Sequence, residues 1–261
     1  MIIGSSLRRF DSFGITACLF AVVLLAWLYL YDMAADMDAM RLAMPNMVAQ
    51  PWDGSYALMM FLMWSVMMVG MMLPSVTPAV LIYQGIARKA AREGSAITPT
   101  WVFTAGYLLM WVLFSLIATG IQWALDRAAL LSPMMVSTSA TLGAALLIAA
   151  GVYQWLPIKN ACLRHCRSPV EFISSHWQTG SKGALKMGAQ HGLYCLGCCW
   201  VLMSLLFLGG VMNLLWIAAI TLFVFIEKLL PYGDIGGKIV GLIMIVAGLA
   251  ALVFSAFSVV S

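Results

Sequence analysis

Cys162, Cys166, Cys195, Cys198 and Cys199, five of the six cysteines, lie within one short part of the chain, with His165 and His191 among them. Thiolates and imidazoles bind soft and borderline metal ions such as Cu(I) and Zn, so the first question is whether these groups can meet. In "HGLYCLGCCWVLM" (191–203), His191, Cys195, Cys198 and Cys199 fall within about a 100° arc of one helix at 3.6 residues per turn. That stripe cannot close around an ion alone, because His191 and Cys198 stand about 10 Å apart along the axis at 1.5 Å per residue.

A second segment offers the missing donors. "KNACLRHCRSP" (159–169) carries Cys162 and Cys166 at i and i+4, with His165 beside them. Residues at that spacing share a helix face and can grip one ion. The segment is expected to continue the fourth apolar helix until Pro169 interrupts it. Cys162 and Cys166 with Cys195 and Cys199 would make a four-thiolate site, and exchanging Cys199 for His191 makes a three-cysteine, one-histidine site. Both suit zinc, while thiolates helped by thioethers favour Cu(I). Competing readings are plain packing by a small hydrophobe, a disulfide, which the reducing cytoplasm disfavours, and redox-active thiols in C-L-G-C (195–198). The lack of a C-x-x-C-H run argues against haem attachment.

Methionine supplies further soft donors. The chain has 20 methionines, and "MMFLMWSVMMVGMMLPSVTP" (59–78) aligns Met59, Met63, Met67 and Met71 in one i+4 row, with Met60, Met68 and Met72 beside it. Such a row reads either as flexible core filler or as a thioether ladder for Cu(I), and Met203 extends the sulfur face of the cysteine helix. Pro74 and Pro78 are expected to kink this helix. "YDMAADMDAMRLAMPNM" (31–47) interleaves Asp32, Asp36 and Asp38 with Met33, Met37, Met40, Met44 and Met47. It reads as an outside loop that captures copper or as an amphipathic interfacial helix. Glu227, at the edge of an apolar run, needs a partner. Lys228 and the interface are the expected ones, with orientation of His191 as the sharper alternative.

The elements that must position these groups follow from composition. Of 261 residues, 63% are hydrophobic and 9% charged, against about 25% charged in soluble domains. No water-soluble surface can be built from so few charges. The chain therefore reads as an all-α, polytopic integral membrane helix bundle, one transmembrane domain over 1–261. Seven apolar segments, about 14–32, 57–86, 99–125, 137–157, 187–208, 211–229 and 237–258, predict about seven transmembrane helices, or six if one lies flat. The fifth and sixth are separated by a tight turn at Gly209 and Gly210. The first segment is too long for a signal peptide and reads as an uncleaved anchor.

Charge sets the expected orientation. With the N-terminus inside, twelve of the fourteen basic residues lie inside, and only Arg41 and Arg127 lie outside. The outside Met/Asp-rich loop is then 33–54, and the inside Cys/His-containing loop is 158–190. The cysteines of both segments fall at the cytoplasmic face of what is expected to be a bacterial inner membrane.

Four stretches together, "MWSVMMVGMMLPSVTP" (63–78), "YQWLPIKNACLRHCRSP" (153–169), "HGLYCLGCCWVLM" (191–203) and "GVMNLLWIA" with Glu227–Lys228, resemble a bacterial family described as predicted metal-binding integral membrane proteins, a DUF2182-like domain of unknown function. The resemblance covers most of the chain beyond the first helix. It implies metal binding by Cys162, His165, Cys166, His191, Cys195, Cys198 and Cys199, and a soluble protein partner.

The function expected from these residues is metal binding at a Cys/His thiolate site, with Cu(I) favoured over zinc, in copper handling as part of a complex. Met63, Met67, Met71, Met203 and Glu227 are the secondary candidates. The first alternative is the membrane subunit of a copper-dependent oxidase or oxygenase working with a soluble partner. Such chemistry leans on histidine, of which the chain has three, and it tends to oxidise nearby thiolates and thioethers. The second alternative is a metal-ion transporter, and a purely structural zinc site is the plainest reading. These residues suit a binding role and an enzymatic one alike. Its expected partners are the lipid bilayer and a soluble protein, with no nucleic acid.

Overall fold

The computed structural model describes residues 3–43, 51–94, 99–132, 135–230 and 232–260. Their regular structure is helical: α1 (Ile3–Ala43), α2 (Gly54–Arg92), α3 (Thr100–Arg127), α4 (Ala140–Tyr153), α5 (Pro157–Arg167), α6 (Pro169–Ser175), α7 (Gly180–Ser204), α8 (Leu206–Gly209), α9 (Leu214–Leu229) and α10 (Gly233–Val260). An isolated bridge, Leu131 to Ser137, joins the segment between α3 and α4. This is the membrane solution to backbone polarity, since a helix satisfies its N–H and C=O groups internally where no water can.

All seven apolar segments are helical. Five stretches are long and apolar enough to cross a bilayer: Phe13–Met40, Gly54–Arg92, Thr100–Arg127, Gly180–Gly209 and Gly233–Ser255. The pair α4 and α5, bent by 65°, makes a sixth if counted as one span. The remaining segment, α9, has 16 residues, short of the roughly 20 that span a bilayer unaided. The chain is a multi-pass membrane protein.

Local chemistry explains the boundaries. Asp53 caps α2, accepting from the Tyr56 N–H at 2.7 Å, and Asn213 caps α9 through the Trp216 N–H at 3.2 Å. Gly210 ends α8 with φ +97°, a left-handed conformation that glycine adopts without Cβ strain, so the turn expected at Gly209 and Gly210 is present. Within α2, Pro74 lacks the N–H that would bond the Gly70 carbonyl. Trp27 of α1 donates to that carbonyl instead, at 3.3 Å.

One expectation is corrected. The cysteine-bearing α5 does not continue α4; the chain breaks at Gln154–Leu156 and restarts at Pro157, whose ring fits the first helical turn. Pro169 does end that helix and opens α6. The stretch from 33 is helical to Ala43, because its run of Ala and Met favours helix. There Met33 and Met37 pack against the core while Asp32, Asp36 and Asp38 are exposed. Met44 and Met47 lie outside the described residues. Residues 158–190 hold α5, α6 and the first turns of α7.

Close helix approach positions the site. A side chain at Gly188 of α7 would collide with the Phe103 carbonyl of α3, one at Gly106 of α3 with the Leu185 carbonyl, and one at Gly192 would sit 2.9 Å from the Tyr107 carbonyl. These glycines let α3 and α7 meet backbone to backbone, the small-residue packing that replaces the hydrophobic drive in lipid. Gly197 does the same for α5, since a Cβ there would stand 2.7 Å from Cys162 Sγ. Trp64, Trp111, Phe103 and Tyr107 fill the interior.

Candidate metal centre

The stripe read from the sequence is one buried face of α7. His191, Cys195, Cys198, Cys199 and Met203 are all buried there. Cys195 is the hub. Its Sγ accepts from Lys228 Nζ at 2.8 Å and stands 3.0 Å from Tyr107 Oη. Its backbone carbonyl accepts the thiols of Cys198 at 3.0 Å and Cys199 at 2.9 Å. From α5, the Cys166 thiol lies against Cys195 and Cys198. Cys162 sits further out, against Gly197 and on the Cys198 side.

Neighbouring groups hold the hub in place. Tyr107 Oη donates to the Met72 carbonyl at 3.3 Å, and Lys228 donates to Ser75 Oγ at 3.2 Å. One corner of the pocket is thus tied to α2 beside Pro74. An ammonium buried as deeply as that of Lys228 is costly without a partner. Cys195 supplies one.

The two histidines lie beside the thiols, and Tyr107 touches both His191 and Cys195. His165 stacks on Tyr194 with centroids 4.1 Å apart. His191 is wedged among Phe103, Tyr107 and Phe172 at 6.1, 6.0 and 5.2 Å, and its Nδ1 is buried without a hydrogen-bond partner. An unmade bond of that kind costs about 1–3 kcal/mol.

The remaining candidates are placed as follows. Met63, Met67 and Met71 are fully buried in the core. Met60 Sδ accepts from Gln122 Nε2 at 3.4 Å, and Gln122 Oε1 accepts from Trp64 Nε1 at 2.6 Å. Glu227 is not paired by Lys228 and does not orient His191. Its carboxylate bonds the buried Lys159, which also meets Gln154. Lys159 and Lys228, counted among the inside basic residues, are both buried in the bundle, so they serve internal pairing rather than topology.

Among the described residues, no group of three or more His, Cys, Asp or Glu side chains is arranged as a finished metal cage. The thiols of Cys198 and Cys199 are instead turned onto a backbone carbonyl. The donor chemistry still fits a soft ion: clustered thiols in an apolar pocket, with a cation at hand to offset excess thiolate charge.

Sequence reasoning missed Lys228, Lys159 and Tyr107. A charged residue inside an apolar run is a signal of function, and Glu227–Lys228 gave it, but the assignment paired the two with each other. Gly188-x-x-x-Gly192 was also legible as a helix-contact motif. Nothing in the sequence marked Tyr107.

A family model described as PpoB2, copper chaperone, matches residues 61–251. The match runs from α2 into α10 and includes every cysteine of the cluster. It supports a copper-related family and does not carry the DUF2182 name. No curated protein and no solved structure matches the chain.

Proposed function

We propose, from the premise that this chain belongs to the PpoB2 family of copper chaperones, that it carries Cu(I) as cargo on the thiols of Cys166, Cys195, Cys198 and Cys199. Cys162, His165 and His191 flank that set. The observation that carries the reading is the meeting of α5 and α7 thiols around Cys195, which also touches the ammonium of Lys228.

Charge fits Cu(I) held by two of these sulfurs as thiolates, the other two staying protonated: that pair with Cu(I) carries one net negative charge, which the Lys228 ammonium cancels. Four thiolates with Zn²⁺ carry two and leave one uncompensated in an apolar interior, where unpaired charge is expensive, so zinc would need His191 in place of one thiolate. Loading requires the Cys198 and Cys199 thiols to leave the Cys195 carbonyl and turn toward the ion, a rotamer change within one helix face.

In the same reading the N-terminus and the thiol pocket face the cytoplasm of a bacterial inner membrane, and a soluble partner exchanges copper with the site. The support is the basic-residue bias of the segments joining the helices, lessened by the burial of Lys159 and Lys228. Reporter fusions at the two termini test the orientation.

Elemental analysis of the purified protein, kept reduced, tests the function. Stoichiometric copper is expected, lost in Cys195→Ser and reduced in Cys166→Ser. Stoichiometric zinc in place of copper, or copper unchanged in both variants, sinks the reading.

A further inference from the structure

A row of histidine and aromatic side chains runs from a surface cleft toward the thiols. Between α5 and α6 lies a cleft of about 330 Å³, lined by Arg164, His165, Ser168, Glu171, Phe172 and Ser175. His165 is the soft-metal donor in its wall. The Phe172 ring borders the same cleft, 6.3 Å from His165 and 5.2 Å from His191. Behind Phe172 stands His191, and one helical turn further along α7 stands Cys195.

His191 is the unusual member of this row. It is 3% exposed, and its Nδ1 has no partner, whereas Cys195, Cys198 and Cys199 all have theirs. A buried polar atom without a hydrogen bond is rare in a folded protein, and an imidazole nitrogen is a common metal ligand. His176 also stacks on Phe172, at 4.9 Å, but its Nδ1 is engaged by Ser175 Oγ at 2.9 Å and the Phe172 carbonyl at 3.1 Å. It is not part of the row.

We propose that His165 and His191 form a transient Cu(I) station, distinct from the thiol pocket, through which copper passes from the α5–α6 cleft to Cys195, with the Phe172 ring as the gate between them. This rests on the reading of the thiols as the Cu(I) site. Copper stays Cu(I) throughout. A Cu–N bond to His165 forms as the donor outside lets go, and it is exchanged for one to His191. That bond is in turn exchanged for Cu–S bonds, and any thiol proton displaced leaves to water in the cleft. Imidazole holds Cu(I) less firmly than thiolate, so the transfer runs toward the thiols.

The test is the rate of loading. Purified full-length protein in detergent is mixed with Cu(I) held by a water-soluble bicinchoninate chelator, and the ultraviolet Cu–thiolate absorption is followed by stopped flow. His191→Phe, which suits an aromatic pocket, and His165→Ala are each expected to slow loading by about tenfold or more and to leave the final copper per chain at the wild-type value. If His191→Phe does not fold, the half-buried His165 decides alone. Wild-type rates overturn the station. A lower final copper content in His191→Phe also overturns it, because His191 would then be a ligand of the thiol site itself. Failure of the thiol reading looks different: wild type takes up no copper, or Cys195→Ser loads in full.

Discussion

Lys228 Nζ lies 2.8 Å from Cys195 Sγ, while Glu227, the residue before it, turns aside to meet Lys159. Neighbours on a helix point about 100° apart, so α9 delivers opposite charges to two different helices from adjacent positions. One serves the thiol pocket, and the other fastens α5.

The first of these contacts predicts charge-dependent copper binding. Removing the ammonium in Lys228→Met leaves a Cu(I)–dithiolate site one charge out of balance in an apolar interior. Copper affinity is expected to fall about 10–100-fold, the usual effect of losing a group that supports a metal ligand. Lys228→Arg keeps the charge and is expected to keep most of the affinity. Competition titration against a Cu(I) chelator measures both, and equal affinity in Lys228→Met rules out charge compensation.

The second contact is structural. Lys159 and Glu227 are both buried, so removing one leaves the other without its counter-charge. Lys159→Met is expected to lose about 3–5 kcal/mol of stability. The double variant Lys159→Met with Glu227→Gln should lose clearly less, because no lone charge remains. Unfolding of the four proteins in detergent closes the cycle. Copper per folded chain should be the same in all of them.

The sequence made the class, the helices and the cysteine face plain, because composition and 3.6-residue periodicity report directly on burial in lipid. It also brought α5 and α7 together, since Cys162/Cys166 and His191/Cys195 sit at the ends of segments joined by one connection. What stayed hidden needed three dimensions. The 65° bend before Pro157 re-aims α5. The pairing of Lys159 with Glu227 and of Lys228 with Cys195 depends on how α9 is rotated, which periodicity alone does not set. Tyr107 reaches Cys195 only because Gly106, Gly188 and Gly192 let α3 and α7 come so close.

That seam makes its own forecast. Gly188→Ala puts a Cβ into the Phe103 carbonyl, and overpacking of this kind costs about 1–3 kcal/mol. The separation of α3 from α7 should also loosen Tyr107 from Cys195. The expected result is a lower unfolding temperature together with weaker copper retention. Gly85→Ala in α2 is the control. Its Cβ meets nothing within 4 Å, so alanine there should be neutral or stabilising by about 0.5–1 kcal/mol. If both glycines tolerate alanine equally, the backbone-to-backbone seam is not what positions the site.

The cysteines themselves are expected to separate into three grades. Cys166, half-buried, lies against Cys195 and Cys198, so Cys166→Ser removes a sulfur that touches the hub and should release most of the copper. Cys162 packs at the rim, beside Gly197. Cys162→Ser should keep copper at near-wild-type stoichiometry while weakening its hold by less than Cys166→Ser does. Cys18, exposed on α1 and outside the cluster, should be indifferent. Copper content after chelator challenge, measured in parallel on the three purified variants, gives the order. Equal losses at Cys162 and Cys166 would instead make the i, i+4 pair of α5 a joint clamp and move the centre of the site from Cys195 toward α5.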